Sequence, residues 1–278
     1  MKILIIHAHP EPQSFCTAMK NTAVETFQEL GHEVQVSDLY DMDWNPVASA
    51  NDFQERSQPD YLVYALEQRE SYKNGKMAPD IQSEIDKLKW CDVLIFNFPM
   101  YWFSVPAILK GWIDRVLVSG YCYGGKRFYD QGGLKGKKGM LSFTLGGREH
   151  MFGEDKIHGE IETMLRPLLR GTMAYVGLSV LPPFIGWHAP YISDAERHLI
   201  LEKYRNYLTR LNNLEPLKFP SLDDFDEQMI PKLMPIIFNI FKLWIDESHQ
   251  FNNCICIFLS ALFVFNGKQV IHHFLYMP

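Results

Sequence analysis

The chain has 278 residues, 47% hydrophobic and 22% charged, a balance that can close a sizeable core and that a disordered chain lacks. Twenty-seven Lys and Arg against 33 Asp and Glu leave a formal charge of −6, which argues against nucleic acid as the main partner, since a phosphate backbone calls for a basic surface. The cysteines (Cys16, Cys91, Cys122, Cys254, Cys256) are odd in number and form no CxxC pair, so a disulfide scaffold or zinc ribbon is not indicated and a reduced, cytoplasmic setting is expected.

Apolar runs and amphipathic stretches alternate from the first residue. Only four apolar residues follow Lys2, too few for a signal-peptide core. Residues 2–8 read as a strand ending at the polar, proline-bearing loop 9–13. Ser14 then opens a helical pattern with Phe15, Met19, Ala23, Phe27 and Leu30 on one face, stopped by Gly31. A second strand is expected over 33–38, and a weakly periodic aromatic region runs from about 40 to 75. A short helix over 81–90 leads into strand 93–98, apolar except for Asn97. After loop 99–103, Ser104 is expected to cap a helix carrying Leu109, Trp112, Ile113, Val116 and Leu117 on its buried face. Residues 139–144 give a fourth strand, 159–174 a helix interrupted by Pro167, 179–181 a fifth strand and 194–211 the last helix. Strands joined by helical crossovers make an α/β fold, a doubly wound parallel sheet.

The end of the chain departs from this pattern. Between residues 250 and 278 the single charged side chain is Lys268. The longest apolar stretch, 254–265, would rise about 18 Å as a helix against a hydrocarbon core of about 30 Å, so no membrane span is expected. The segment reads as an appendage packed on the domain or on a partner subunit; a poorly ordered extension and a membrane-surface hook are the alternatives.

In an open parallel sheet, ligands bind beyond the carboxyl ends of the strands, where the strand order reverses. Three loops lie there. The first, 9–14, sets Ser14 and the amides of Phe15, Cys16 and Thr17 at a helix N-terminus, a place for a phosphate with His9 as a further donor; the plainer reading makes Ser14 a simple cap. The second, 98–106, is aromatic and proline-bounded, suited either to a flat heteroaromatic cofactor or to a hydrophobic plug or interface. The third, 144–147, ends in Gly146 and Gly147, which let a ligand approach the backbone. Lys135, Lys137 and Lys138 read as a solvated turn, with a cofactor-phosphate site as the alternative, and the cysteine spacing leads us to expect no structural metal.

Read together, these loops resemble the NAD(P)H:quinone oxidoreductases of the DT-diaphorase type, FAD-containing relatives of flavodoxin. The matching pieces are residues 9–19 (HPEPQSFCTAM), 37–40 (SDLY), 45–46, 72–80 (YKNGKMAPD), 129–130, 141–147, 157–159 and above all 93–116, with its FPMYWFSVPAILKGWIDRV. The likeness covers roughly residues 1–220, expected to form a flavodoxin-like catalytic domain with strand order 2-1-3-4-5, and leaves 221–278 as a C-terminal extension. It implies a homodimer with FAD at two interfacial sites. His9, Ser14, Phe15 and Ala18 would line the FAD phosphates. Pro99, Met100, Trp102 and Phe103 would hold the isoalloxazine, Thr144, Gly146 and Gly147 its edge, and Arg197 and Leu201 the adenine half. Tyr123, Trp102, Phe103, Met151 and His158 would form the pocket where NADH or NADPH and a quinone or related aromatic acceptor bind in turn, with His158 and Tyr123 catalytic.

Three departures accompany the likeness. Phe152 stands where the family has a tyrosine beside the histidine, Cys16 replaces an asparagine, and Gly125 replaces a pocket tyrosine. The implied activity is two-electron, ping-pong NAD(P)H:acceptor reduction. A flavoprotein regulatory subunit of a membrane transport protein and a flavodoxin-like electron carrier are the alternatives.

Overall fold

Four apolar runs become four parallel strands. The computed structural model describes residues 1–232 and contains β1 (Lys2–His7), β2 (Glu33–Asp38), β3 (Val93–Pro99) and β4 (Lys138–Thr144), ordered β2-β1-β3-β4. β3 is buried along its whole length, which explains why its sequence shows no alternation.

The fifth position is split. β5 (Ser179–Val180) pairs with the start of β4 and β6 (Phe184–Gly186) with its end. The expected strand over 179–181 is therefore half of the element. Pro182 and Pro183 have no N–H to give to the β4 ladder, so pairing lapses across them and then resumes.

Helices cover both faces. On one, α1 (Phe15–Glu29) sets Met19, Ala23 and Phe27 against Ile3, Ile5, Ile95 and Met140. The other receives α3 (Pro79–Trp90) and α4 (Ala107–Val116), whose Ile85, Leu88, Leu109 and Trp112 pack on Leu4, Ile6, Phe96 and Leu141. Odd and even residues of β1 thus serve opposite cores.

Three local expectations need correction. The region 40–75 contains a helix, α2 (Tyr64–Asn74), whose buried residues are Glu67, Gln68 and Ser71, so apolar periodicity could not reveal it. Ser104 does not cap α4. Val105 precedes a proline and is biased away from helical backbone, so the helix starts after Pro106, and Ser104 closes a turn with Tyr101 instead. The interrupted helix over 159–174 breaks into α5 (Ile161–Met164), α6 (Arg166–Leu168) and a π-helical stretch over Leu169–Ala174. The last helix, α7 (Asp194–Thr209), packs beside α1, placing Tyr204 and Leu208 in the same core.

The residues Met1–Ser221 group as one compact unit, and the chain from Leu222 onward falls outside it. The expectation for residues 250–278 lies outside the described residues. Among the described residues, no helix is long and apolar enough to cross a membrane.

Candidate active site

At the carboxyl edge of the sheet, the chain leaves β1 and enters α1 through Ser14. The Thr17 amide donates to Ser14 Oγ at 3.0 Å, while the amides of Phe15 and Cys16, at the first two helical positions, have no partner in their own helix. They face a cavity of about 530 Å³ with the positive end of the helix dipole behind them. His9, Ser14, Phe15, Ala18, Thr144, Arg197 and Leu201 all line this cavity. Three separate segments, assigned to one cofactor by resemblance, therefore meet at one concavity. Arg197 is anchored on the Ala189 carbonyl (Nη2 at 3.2 Å) and on Asp194 at 2.7 Å, so the guanidinium that lines the cavity is held in place.

Sequence reasoning missed Ala189 and Pro190, which also line the cavity. With the fifth strand expected to end at residue 181, the loop that carries them looked like a connection far from the edge. Because β6 resumes pairing at Phe184, the loop after it emerges beside Gly146 and Gly147. There His188 Nδ1 meets the Gly146 carbonyl at 2.6 Å and its amide donates to the Gly147 carbonyl at 3.0 Å.

Behind the cavity lies a second missed group. His7 is 1% exposed, with Nδ1 at 2.6 Å from Asn97 Oδ1 and Nε2 at 3.2 Å from Thr17 Oγ1. Burial pushes its imidazole below the ordinary value of 6.5, partly opposed by the Asn97 hydrogen bond and by Asp38. The unfolded chain therefore takes up this proton first as pH falls, so the stability His7 contributes is complete above about 6.5 and shrinks below it. Urea melts of wild type and His7→Phe between pH 7.5 and 5 should show a shallower pH slope in the variant; parallel slopes would contradict the assignment. Cys16, whose thiol burial pushes up to about 12, lies 3.5 Å from Asn97 Oδ1 and stays protonated at neutral pH.

The aromatic loop projects from the end of β3. Met100 N donates to the Thr144 carbonyl at 2.8 Å, joining this loop to the third. Tyr101 and Ser104 then bond each other's backbone at 3.0 and 2.9 Å, and the two residues between them, Trp102 and Phe103, hold φ of 51° and 56°. Bulky side chains rarely occupy that left-handed region, and such strain costs on the order of 1–3 kcal/mol per residue. The turn leaves the Trp102 indole 97% exposed. Positive φ at two bulky residues, one of them bearing the exposed indole, marks this turn as a candidate binding surface.

Beside it stands an aromatic group of its own. The His158 ring lies 5.7 Å from Phe103 and 4.9 Å from Phe152, which in turn meets Trp187 at 5.0 Å. The His158 amide donates to the Met151 carbonyl at 3.1 Å, bringing Met151 to the same wall. Gly147 is needed here, because a Cβ at that position would lie 2.9 Å from the Phe152 ring. Tyr123 is placed elsewhere: its ring packs on Tyr175 at 5.9 Å, and among the described residues no ring contact joins it to Phe103 or His158.

A family model of the flavodoxin-like fold matches residues 1–208. The chain is 42% identical to the mouse ribosyldihydronicotinamide dehydrogenase [quinone] over 217 residues, covering 78% of this chain and 94% of that one. It is 39% identical to the rat NAD(P)H dehydrogenase [quinone] 1 over 226 residues, covering 81% and 82%. The chain belongs to this family of flavodoxin-fold quinone oxidoreductases. Among solved structures, a Klebsiella pneumoniae protein provisionally named a quinone reductase superposes with a TM-score of 0.80 at 35% identity, covering 84% of this chain and 94% of that one. A Treponema denticola general stress protein 14 solved in complex with FMN superposes with a TM-score of 0.53 at 28% identity, covering 77% and 99%. The matched residues 1–208 include every residue of the cavity and of the aromatic wall.

Proposed function

We propose that the chain is a two-electron NAD(P)H:quinone oxidoreductase that works through bound FAD. The observation that carries this reading is the single cavity running from the N-terminus of α1 to Arg197 and Leu201 on α7. Unpaired helix amides at one end suit a diphosphate. The concavity continues past them to a cation and an apolar side chain, room that FMN, which has no adenine half, would leave unused. His9, Ser14, Phe15 and Ala18 would hold the phosphates, and Arg197 and Leu201 the adenine half. Pro99, Met100, Trp102 and Phe103 would hold the flat ring, with Thr144, Gly146 and Gly147 along its edge.

When bound, the flavin supplies a two-electron store that accepts hydride from NADH or NADPH and passes it to an aromatic acceptor in a ping-pong sequence. The chain's own residues do the rest. Trp102 and Phe103 supply apolar faces that exclude water and orient a stacked ring. The backbone amides of Gly146 and Gly147 would meet charge that develops at the ring edge. His158 is the protic side chain on the aromatic wall and the proton source for the acceptor. Phe152 has no hydroxyl to share that task.

The acceptor side has one further determinant. A side chain at Gly125 would meet no heavy atom within 4 Å of its Cβ, although its φ of +63° strains any replacement. The resemblance puts this position at the acceptor pocket, where glycine in place of a tyrosine would admit bulky acceptors. Gly125→Tyr should lower kcat/KM for large acceptors on the order of tenfold and leave small quinones unchanged; a uniform profile would contradict it.

Tyr101, Trp102, Ile157 and Tyr191 are exposed large apolar residues on loops at the sheet's carboxyl edge. Their exposure supports the homodimer reading, in which a second copy would cover them and Tyr123 would reach the partner's site. The three described cysteines are free and buried, in keeping with a cytoplasmic setting. Steady-state oxidation of NADH and NADPH against a small quinone tests the activity. Parallel double-reciprocal lines are expected, and absence of turnover with every quinone and both donors would overturn it.

A further inference from the structure

Strand register sets Asp38, His7, Asn97 and Ser142 side by side across β2, β1, β3 and β4 at the carboxyl end of the sheet. His7, Asn97 and Ser142 are all buried. Polar groups in such a place are costly unless each is bonded, and here the bonds lead out of the sheet into the first loop. Asn97 Nδ2 donates to the carbonyl and hydroxyl oxygens of Ser142 at 3.4 and 3.3 Å, which leaves Asn97 Oδ1 as an acceptor. His7 Nδ1, at 2.6 Å, therefore carries the ring proton, and the neutral ring turns a bare Nε2 toward Thr17 Oγ1. That hydroxyl also stands 2.9 Å from Ser14 Oγ and 3.1 Å from the Glu11 carbonyl. It has one proton to give, so His7 and Glu11 compete for it.

We propose that His7 is a positioning residue for the anion end of the site. Its bare Nε2 orients the Thr17 hydroxyl, and through Thr17 it fixes Ser14 and the first amides of α1 where the flavin diphosphate is held. The inference rests on the flavin reading above and adds to it a residue outside the cavity. The chain of contacts is continuous: sheet to Asn97, Asn97 to His7, His7 to Thr17, Thr17 to Ser14. Ser14 lines the cavity, whereas His7 and Thr17 stand behind it. A row that only stiffened the sheet would affect every ligand of the site alike; a row that aims the phosphate donors affects phosphate-bearing ligands alone.

That difference is measurable. Purified wild type, His7→Phe, Thr17→Val, the double variant and Thr17→Ser are loaded with FAD or with riboflavin, which has no phosphate. The fluorescence of released flavin is read on serial dilution. His7→Phe and Thr17→Val should each weaken FAD retention about tenfold, the loss of one buried hydrogen bond. The double variant should be no weaker than the poorer single, Thr17→Ser should match wild type, and riboflavin should be held equally by all. Additive losses, or equal losses for both flavins, would overturn the proposal. Should His7→Phe fail to fold, the Thr17 pair still decides, together with the ¹⁵N shifts of the His7 ring in the wild-type protein. A protonated Nδ1 with a bare Nε2 is expected, and the opposite tautomer would overturn the proposal. A wild type that retains no flavin removes the flavin reading and this inference with it, whereas a wild type that retains FAD as its variants do removes the inference alone.

Discussion

Replacing His158 by alanine lowers quinone turnover about 100-fold while the protein keeps its flavin and its rate of reduction by NAD(P)H. The size follows from what surrounds the ring. General acid catalysis contributes typically 10²–10⁴-fold, and the neighbours of His158 on the aromatic wall, Phe103 and Phe152, have no proton to give. Water can replace the imidazole in part, which sets the expectation at the lower end of that range. Stopped-flow absorbance separates the two half-reactions: the reductive phase should be unchanged and the oxidative phase slowed. A variant with wild-type quinone turnover would show that His158 is only a packing partner of Phe103. Phe152→Tyr, which adds a hydroxyl to the ring centred 4.9 Å from that of His158, offers the complementary gain.

The second large effect concerns stability. Arg115→Leu should cost about 3–5 kcal/mol, because removing one partner of a buried ion pair leaves an uncompensated charge. Arg115 and Asp52 are 4% and 1% exposed, and the guanidinium reaches Asp52 at 3.0 and 3.1 Å, Asp80 at 2.9 Å and the Asn45 carbonyl at 2.8 Å while lying over Trp44. Asp52 also accepts a hydrogen bond from Tyr64. One side chain on α4 thus pins the loop between β2 and α2 and the start of α3. The exposed pair Lys110–Asp114, at 2.6 Å on the same helix, makes the control: its loss should cost no more than about 0.5 kcal/mol. Urea denaturation of both variants checks the ranking, and a cost below 1 kcal/mol for Arg115→Leu would contradict the role given to the pair.

The sheet was legible because its strands are so apolar that only one fold class accommodates them. β1, β3 and β4 are covered on both faces and read as continuous runs. α2 was hidden for the opposite reason, since it turns Glu67, Gln68 and Ser71 inward and its apolar pattern is weak. The paired prolines 182 and 183 concealed half of the fifth strand, and with it the loop that brings Ala189 and Pro190 to the cavity. Asn97, the polar exception in strand 93–98, gains its meaning from the register that sets it beside His7 and Ser142. Of the residues assigned through resemblance, those of the phosphate end converge in one cavity, and Phe103, Met151 and His158 share the aromatic wall. Tyr123 joins a different aromatic group, with Tyr175, because the chain after α4 folds back on the segment that follows α6. A single chain's pattern cannot reveal what a second copy would bring together.

The cavity between α1 and α7 is proposed to hold FAD for hydride transfer. The most direct test is the absorption spectrum of the purified protein, followed by chromatography of the flavin released on denaturation. The spectrum should be that of an oxidised flavoprotein, bleached by NADH or NADPH without a stable radical and restored by a quinone, and the released flavin should be FAD. A protein that is colourless, remains so after incubation with FAD, and gains no absorbance with FMN would contradict the account at its root.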